Sequence, residues 1–324
     1  MKAMLVKEGK LVLSDTENPI PRANEVLIHI YAAALNRADL LQKKGTYPSP
    51  AGWPQWPGLE CAGVVSAIGS GVKRCRIGDK VCALVGGGAY AEKICVPEEM
   101  TMPIPKGFSF EEAAAIPEAY ATAYLNLFYE GHLKKGQTVY IAAGASGLAS
   151  AAIPLAKSFG ARVVTDVLLP ENKAAVFALG ADEIIDLTRE RVSEAFERLE
   201  KAGTPVNLAM DCLAGAEMGK AIAYMAEGGY WILISTLAGV ATELPLRAVL
   251  TRGIHITGSM LRKRSVEEKG ALLAELVGNV WPKFESGEIK PQIFRVFPFE
   301  EAEAAQAVLE RGENIGKVVL KISK

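Results

Sequence analysis

Between residues 138 and 166 the chain reads TVYIAAGASGLASAAIPLAKSFGARVVTD. Val139-Tyr140-Ile141-Ala142 is a short apolar run of β type, followed by the turn Gly144-Ala145-Ser146-Gly147 and a small-residue helical segment to about Phe159. A second apolar run, Val163-Val164-Thr165, ends on Asp166. Strand, glycine turn, helix, strand and acid is the order of a dinucleotide-binding unit. Glycines let the backbone approach a pyrophosphate, and the unpaired N–H groups and dipole of the new helix stabilise its charge. Gly144 and Gly147 are expected at the cofactor for that steric reason, with Leu148 entering the helix behind them. Ser146 can donate to pyrophosphate or ribose, cap the helix, or do both. Ala149 fills the third glycine position, which accepts Gly or Ala. Pro154 is out of place, because proline inside a helix costs about 3 kcal/mol.

The elements that position this turn follow from the rest of the pattern. Residues 1–6, 11–13, 25–33, 61–68, 79–84 and 89–95 read as short strands, broken at Gly69-Ser70-Gly71, Gly78 and Gly86-Gly87-Gly88. That density predicts a closed or nearly closed β body. One helix is expected over 36–43, ahead of a Pro/Trp-rich loop at 47–58. From Ser109 the pattern turns helical, with Ser109 and Glu112 forming a capping box and Gly136 ending the second helix. Beyond the dinucleotide unit, helices at 171–179, 191–202 and 218–225 alternate with strands at 183–186, 207–211, 230–235 and 254–259. Such alternation predicts a doubly wound parallel sheet. The tail adds a long helix from 267, a segment at 292–298, a helix at 300–311 and a strand at 317–322.

Composition bounds the function. The chain has 324 residues, half of them hydrophobic and 23% charged, enough for two globular domains. A net charge of −1 gives no electrostatic reason to expect nucleic acid or an anionic membrane. No apolar run approaches the ~18 residues that span a bilayer. The N-terminus begins a strand pattern at once, so a cytoplasmic enzyme is expected. Five cysteines without C-x-x-C spacing read as reduced thiols, and His29, His132 and His255 are too scattered for a local metal motif.

Several stretches carry a resemblance. ALNRADLLQKKGTYPSP (34–50), GLECAGVVSAIGSGV (58–72), IGDKVCAL (77–84) and AAAIPEAYATAY (113–124) are four of them. GASGLASAAIPLAK (144–157), LGAD (179–182), TGSMLRKRS (257–265) and NIGKVVL (314–320) complete the set. Together they resemble the zinc-independent quinone oxidoreductases of the medium-chain dehydrogenase/reductase superfamily, in the group of the tumour-suppressor-inducible quinone reductase. The resemblance implies an α/β protein: a GroES-like catalytic domain over 1–121 and 263–324, and a Rossmann domain over 122–262. It also implies a nicotinamide cofactor, NAD(P)H, in the cleft. Zinc-dependent relatives carry a Cys near position 36, a His-Glu pair at 59–60 and a four-Cys lobe between about 85 and 110. Here those places read Asn36, Leu59-Glu60 and Cys95 alone. Catalytic zinc takes about three protein ligands and structural zinc about four, so no metal is expected. A site without a Lewis acid suits a substrate that is already electrophilic, a quinone or an enone, which needs hydride placement and an oxyanion donor.

The resemblance further implies Tyr47 as the substrate-facing donor and Asn36 as an active-site amide. Asp39 is read as fixing the local loop. Thr122 is implied at the nicotinamide, Asn314 at the cofactor from the catalytic domain, and Leu261 with Arg262 as a lip over the cofactor phosphates. NADPH-dependent relatives ring the 2′-phosphate with Ser, Lys and Tyr. Here Leu169 and Leu187 replace Ser and Tyr, Lys is displaced to Lys173, and Asp166 offers a carboxylate suited to a ribose 2′-OH. NADH is therefore expected to serve at least as well as NADPH. An enoyl-thioester reductase and a cofactor-binding structural or RNA-binding protein are the alternatives. A homodimer is expected through Rossmann edge strands at 254–258 and 230–234.

Overall fold

Short apolar runs punctuated by glycine become strands in the computed structural model, which describes residues 1–323. The chain divides into two units: Met1–Ala121 with Arg262–Lys324, and Thr122–Leu261. Among the described residues no helix is long and apolar enough to cross a membrane.

The first unit is organised on the strand Glu25–Ala34, which alternates buried and half-buried positions along most of its length. It pairs antiparallel with Glu60–Ile68, with Lys93–Pro97 and, near its end, with Lys317–Lys321. Register shifts between Leu27 and Ile28 and between Ile30 and Ala32 bend it, as bulges do. Lys80–Leu84 and Thr101–Pro103 extend the sheet on one side, and Ile293–Pro298 ends it on the other. The β body thus takes two of its strands from the tail. The strand expected at 89–95 lies later, at Lys93–Pro97, because Gly86–Gly88 and the residues after them form a loop. Gly88 has φ +96°, and a side chain there would strike Pro54. The helix Arg37–Lys43 and the capping box at Ser109 form as read: Ser109 Oγ accepts from the Glu112 N–H, and Glu112 accepts from the Ser109 N–H.

The second unit is a six-stranded, all-parallel sheet. Its order is Glu183–Asp186, Arg162–Val167, Thr138–Ile141, Leu208–Asp211, Tyr230–Leu233, His255–Gly258. This is the 3-2-1-4-5-6 order of a dinucleotide-binding fold, with its switch point between the first and fourth strands. Tyr140, Phe196 and Trp231 stack edge to face or tilted in its core, with centroids 5.2 Å and 5.9 Å apart along the chain of rings. Each such ring contributes about 2–3 kcal/mol by burial. Two expectations are corrected here. Tyr230–Leu233 is an inner strand, paired on both sides, so only His255–Gly258 and Glu183–Asp186 are edges. The helix Pro117–Tyr124 passes into a π-helical turn, Leu125–Glu130, and stops there; Gly136 belongs to a separate turn before the first strand of this sheet. A helix at Leu246–Arg252 had no sequence signal strong enough to be read.

Pro154 sits inside the unbroken helix Ala149–Ser158. It withholds the N–H that the Ser150 carbonyl would accept. Replacing it should remove the roughly 3 kcal/mol helix cost and give back the roughly 1 kcal/mol by which proline restricts the unfolded chain. Pro154→Ala is therefore expected to stabilise by about 2 kcal/mol in urea unfolding; an unchanged or lower midpoint would show that the helix has absorbed the proline.

Candidate active site

In the first unit the site is built around buried charge. Lys317, 4% exposed at its side chain, points Nζ at Glu60 Oε1 (2.7 Å), the Leu35 carbonyl (2.7 Å) and Asn36 Oδ1 (2.7 Å). All three ammonium protons are thereby used. Glu60, fully buried, also accepts from Asn36 Nδ2 (2.9 Å) and, on its other oxygen, from the Glu118 backbone N–H (2.8 Å). Asp39 forms the next layer. It accepts from the Asn36 N–H (2.8 Å), the Tyr90 hydroxyl (2.8 Å) and the Gly58 N–H (3.0 Å). Burial raises its carboxyl to about 6. Gly58 has φ +111° and no room for a Cβ against Tyr90, so the backbone can approach Asp39 only as glycine.

The loop that follows carries Tyr47. Arg262 lies over its ring at 4.4 Å and donates to the Gly86 carbonyl (Nε, 3.0 Å), the Tyr47 carbonyl (3.2 Å) and Gln42 Oε1 (3.2 Å). Gln42 in turn donates to Ser49 Oγ (2.8 Å), and Trp56 Nε1 to the Gly88 carbonyl (2.9 Å). Tyr47 is half-buried, and burial raises its phenol above the ordinary value despite the guanidinium beside it.

In the second unit the glycine turn has the shape of an anion cradle. Gly144 sits so close to Arg162–Val167 that a Cβ would meet Thr165 Oγ1 at 2.5 Å. Ser146 Oγ accepts from the Ala149 N–H (3.1 Å) and so caps the helix. The N–H groups of Ala145, Gly147 and Leu148 have no partner among the described residues. Three orphan donors at the start of a ten-residue helix fit a pyrophosphate. Thr122 is buried, and its carbonyl accepts from Asn126 Nδ2 (2.7 Å). A cavity of about 870 Å³ elsewhere in this unit, lined by Glu194, Glu197, Lys220 and Tyr224 among others, includes none of the turn residues.

Several expected contacts are corrected. Asp166 is 2% exposed and turned inward, its Oδ2 accepting from Tyr140 OH (2.6 Å) and the Ala143 N–H (3.0 Å). It holds Ala143 at φ 55°, the left-handed conformation that opens the turn, instead of offering itself to a ribose. Burial raises it to about 6. Lys173 is held by Asp186 (2.7 Å), whose carboxyl falls to about 2 through that hydrogen bond. Arg262 directs its donors to the 42–86 loops, and Leu261 beside it is buried. The Asn36 amide is closed between Glu60 and Lys317, and Asn314 Nδ2 donates to the Gly316 carbonyl (2.7 Å) within its own turn. Sequence reading missed the Lys317–Glu60 pair; its signal is a charged residue leading each of two apolar strands, Lys317-Val318-Val319-Leu320 and Glu60-Cys61-Ala62.

Comparison with known proteins agrees with this architecture. Residues 22–106 match the alcohol dehydrogenase GroES-like domain, and residues 179–320 match the zinc-binding dehydrogenase family. A quinone oxidoreductase-like protein 2 homolog of Nematostella vectensis is 31% identical, over 92% of this chain and 81% of its own. The quinone oxidoreductase of Thermus thermophilus, solved also in complex with NADPH, superposes with a TM-score of 0.84 at 32% identity, covering 99% and 100% of the two chains. The apo JamJ enoyl reductase gives a TM-score of 0.85 at 25% identity, covering 97% and 95%. The chain belongs to the medium-chain dehydrogenase/reductase superfamily, among proteins like the quinone oxidoreductases, and is an NAD(P)-dependent oxidoreductase of that family.

The buried carboxyls give stability a pH dependence. Burial raises Asp39 and Asp166 to about 6 and Glu118 to about 7. Each binds its proton more tightly folded than unfolded, so each contributes stability below its unfolded value and loses it as pH rises through the folded one. Thermal unfolding is expected at a higher temperature near pH 5 than near pH 8. A profile that rises over that window would contradict these placements.

Proposed function

We propose that this chain is a metal-free reductase that passes hydride from NAD(P)H to a quinone or a related activated enone. One observation carries the reading. The residues at the positions where zinc-dependent relatives keep their ligands, Asn36 and Glu60, are closed around the Lys317 ammonium. Among the described residues no group of three or more His, Cys, Asp or Glu side chains is arranged to hold a metal ion. Cys95, the one cysteine in the stretch corresponding to the four-Cys lobe, is a thiol pushed up to about 11 by burial. Without a Lewis acid the substrate must bring its own electrophilicity, and the protein supplies orientation and a hydrogen-bond donor. Tyr47 is that donor in this reading, its ring held by Arg262. When bound, the reduced nicotinamide supplies the hydride. Gly144, Ser146, Gly147 and Leu148 would hold its pyrophosphate, and Thr122 would lie along the rest of the cofactor.

The same reading extends to cofactor choice. Leu168 and Leu169 are 71% and 44% exposed where a 2′-phosphate would need donors, and Lys173 is already paired with Asp186. NADH use at least equal to NADPH use follows. A homodimer through the edge strand His255–Gly258 is supported by the exposed Val240, Leu246 and Leu250 near it in the chain. The likeness to the JamJ enoyl reductase favours an enoyl-thioester reductase as the second reading.

Initial rates with NADH and NADPH at matched low concentration, against an ortho-quinone and an enoyl-CoA ester, test all of this. The quinone is expected to be the better acceptor and NADH at least the equal of NADPH. Tyr47→Phe is expected to lower kcat about a hundredfold, the loss of one oxyanion donor. Strong NADPH preference would overturn the cofactor assignment. A preference for the thioester would move the substrate class, and a fully active Tyr47→Phe would remove the donor.

A further inference from the structure

We propose that Arg262 is the positioning residue for Tyr47: it clamps the loop that carries the tyrosine and sets its positive charge over the phenol ring, so that the proton leaves Tyr47 more readily. The inference rests on the reductase reading above and gives Arg262 a part in its chemistry.

The guanidinium lies 4.4 Å from the centroid of the Tyr47 ring, a cation–π distance. Its N–H groups run sideways into the surrounding loops. They donate to the Gly86 carbonyl from Nε (3.0 Å) and again from Nη2, to the Tyr47 carbonyl (3.2 Å) and to Gln42 Oε1 (3.2 Å). A rigid planar fork can serve these directions together while its face stays free to stack. One side chain thereby holds the helix Arg37–Lys43, the tyrosine and the Gly86 turn in a single arrangement. The Arg262 backbone is fixed in turn by Lys269, a buried residue of the helix Val266–Glu285, whose Nζ donates to the Arg262 carbonyl (3.0 Å).

A clamp alone does not require a charge. Every acceptor that the guanidinium reaches among the described residues is neutral: a carbonyl, an amide oxygen or a hydroxyl. No bonded carboxylate cancels the cation, and the face it turns to an aromatic ring is turned to Tyr47. Attraction between a cation and that ring grows when the phenol oxygen becomes anionic. Two charged groups act on the phenol, Arg262 and the acid Glu118 on the helix Pro117–Tyr124. Burial raises the phenol most, the guanidinium opposes that rise, and Glu118 adds to it.

The step balances. Two electrons and one hydrogen reach the quinone as hydride from the reduced nicotinamide, leaving a negative charge on the quinone oxygen. The Tyr47 O–H bond breaks as the hydroquinone O–H forms. The charge then rests on the tyrosinate, beneath the guanidinium, until water returns a proton to it. Arg262 itself exchanges no proton, as a guanidinium stays charged throughout.

Arg262→Gln removes the charge, and Arg262→Lys keeps the charge but loses the fork. The cofactor-free protein labelled with 3-fluorotyrosine is titrated by fluorine NMR, with Tyr47→Phe identifying the signal. The Tyr47 phenol is expected to ionise at higher pH in Arg262→Gln than in the parent, and closer to the parent in Arg262→Lys. A role confined to clamping gives the opposite sign, because a loosened loop relieves the burial that holds the phenol up. In steady state with a quinone, Arg262→Gln is expected to lose about tenfold in kcat with KM little changed, and Arg262→Lys to recover part of the loss. An unmoved or lowered Tyr47 titration in Arg262→Gln would overturn the proposal. Should no quinone or enone be reduced, the titration still decides on Arg262, whatever becomes of the reductase reading.

Discussion

The Lys317–Glu60 pair is the contact on which the first unit's site depends. Both charges are out of water, so their attraction must offset a desolvation penalty of several kcal/mol for each ion. It can do so because no proton or lone pair facing the pair is wasted: the ammonium has three acceptors, and the carboxylate has donors on both oxygens. Losing one partner would leave the other buried and bare, at a cost of about 3–5 kcal/mol. The pair also ties four separate stretches together. The final strand, the strand from Glu60, the cap at Asn36 and the start of the helix at Pro117 all meet at these two side chains. Asp39 then carries the order outward to Gly58, at the far end of the loop that holds Tyr47.

The second unit uses a buried acid for a similar purpose. Asp166 and Asp211 each sit at or next to the end of a strand, and each accepts from the N–H of an alanine in left-handed conformation, Ala143 at φ 55° and Ala214 at φ 57°. For a residue with a Cβ that conformation costs about 1–2 kcal/mol. A hydrogen bond to a carboxylate contributes about 1.5–3 kcal/mol, enough to hold it. The glycine turn is therefore shaped from beneath by Asp166 and Tyr140, and its upper side keeps the unpaired N–H groups that a phosphate needs.

Most of the fold was legible because periodicity and punctuation are local. The strand–turn–helix–strand order at 138–166, the capping box at Ser109 and the alternation beyond Lys173 all appear in the structure with ends moved by a few residues. The pairing of the tail strand with Glu25–Ala34 was not legible, since no local signal joins residues so far apart. The site was legible in its residue types and poorly legible in their partners. Asn36, Asp166, Lys173 and Arg262 were each read as facing a ligand, and each is instead satisfied by a protein group distant in sequence. A buried polar side chain takes whichever partner the tertiary fold brings, and that information lies in contacts between segments. The Lys317–Glu60 pair was overlooked because its two partners lie far apart in the chain.

The central claim is that the protein's own ammonium, not a metal, satisfies the carboxylate at the heart of the first unit, and that hydride transfer proceeds on that basis. Elemental analysis of the purified protein, paired with quinone-dependent oxidation of the nicotinamide before and after exhaustive chelation, tests it directly. The expected result is zinc well below one equivalent per chain and a rate that chelation leaves unchanged. Stoichiometric zinc, with activity lost on chelation and restored by adding zinc back, would contradict it.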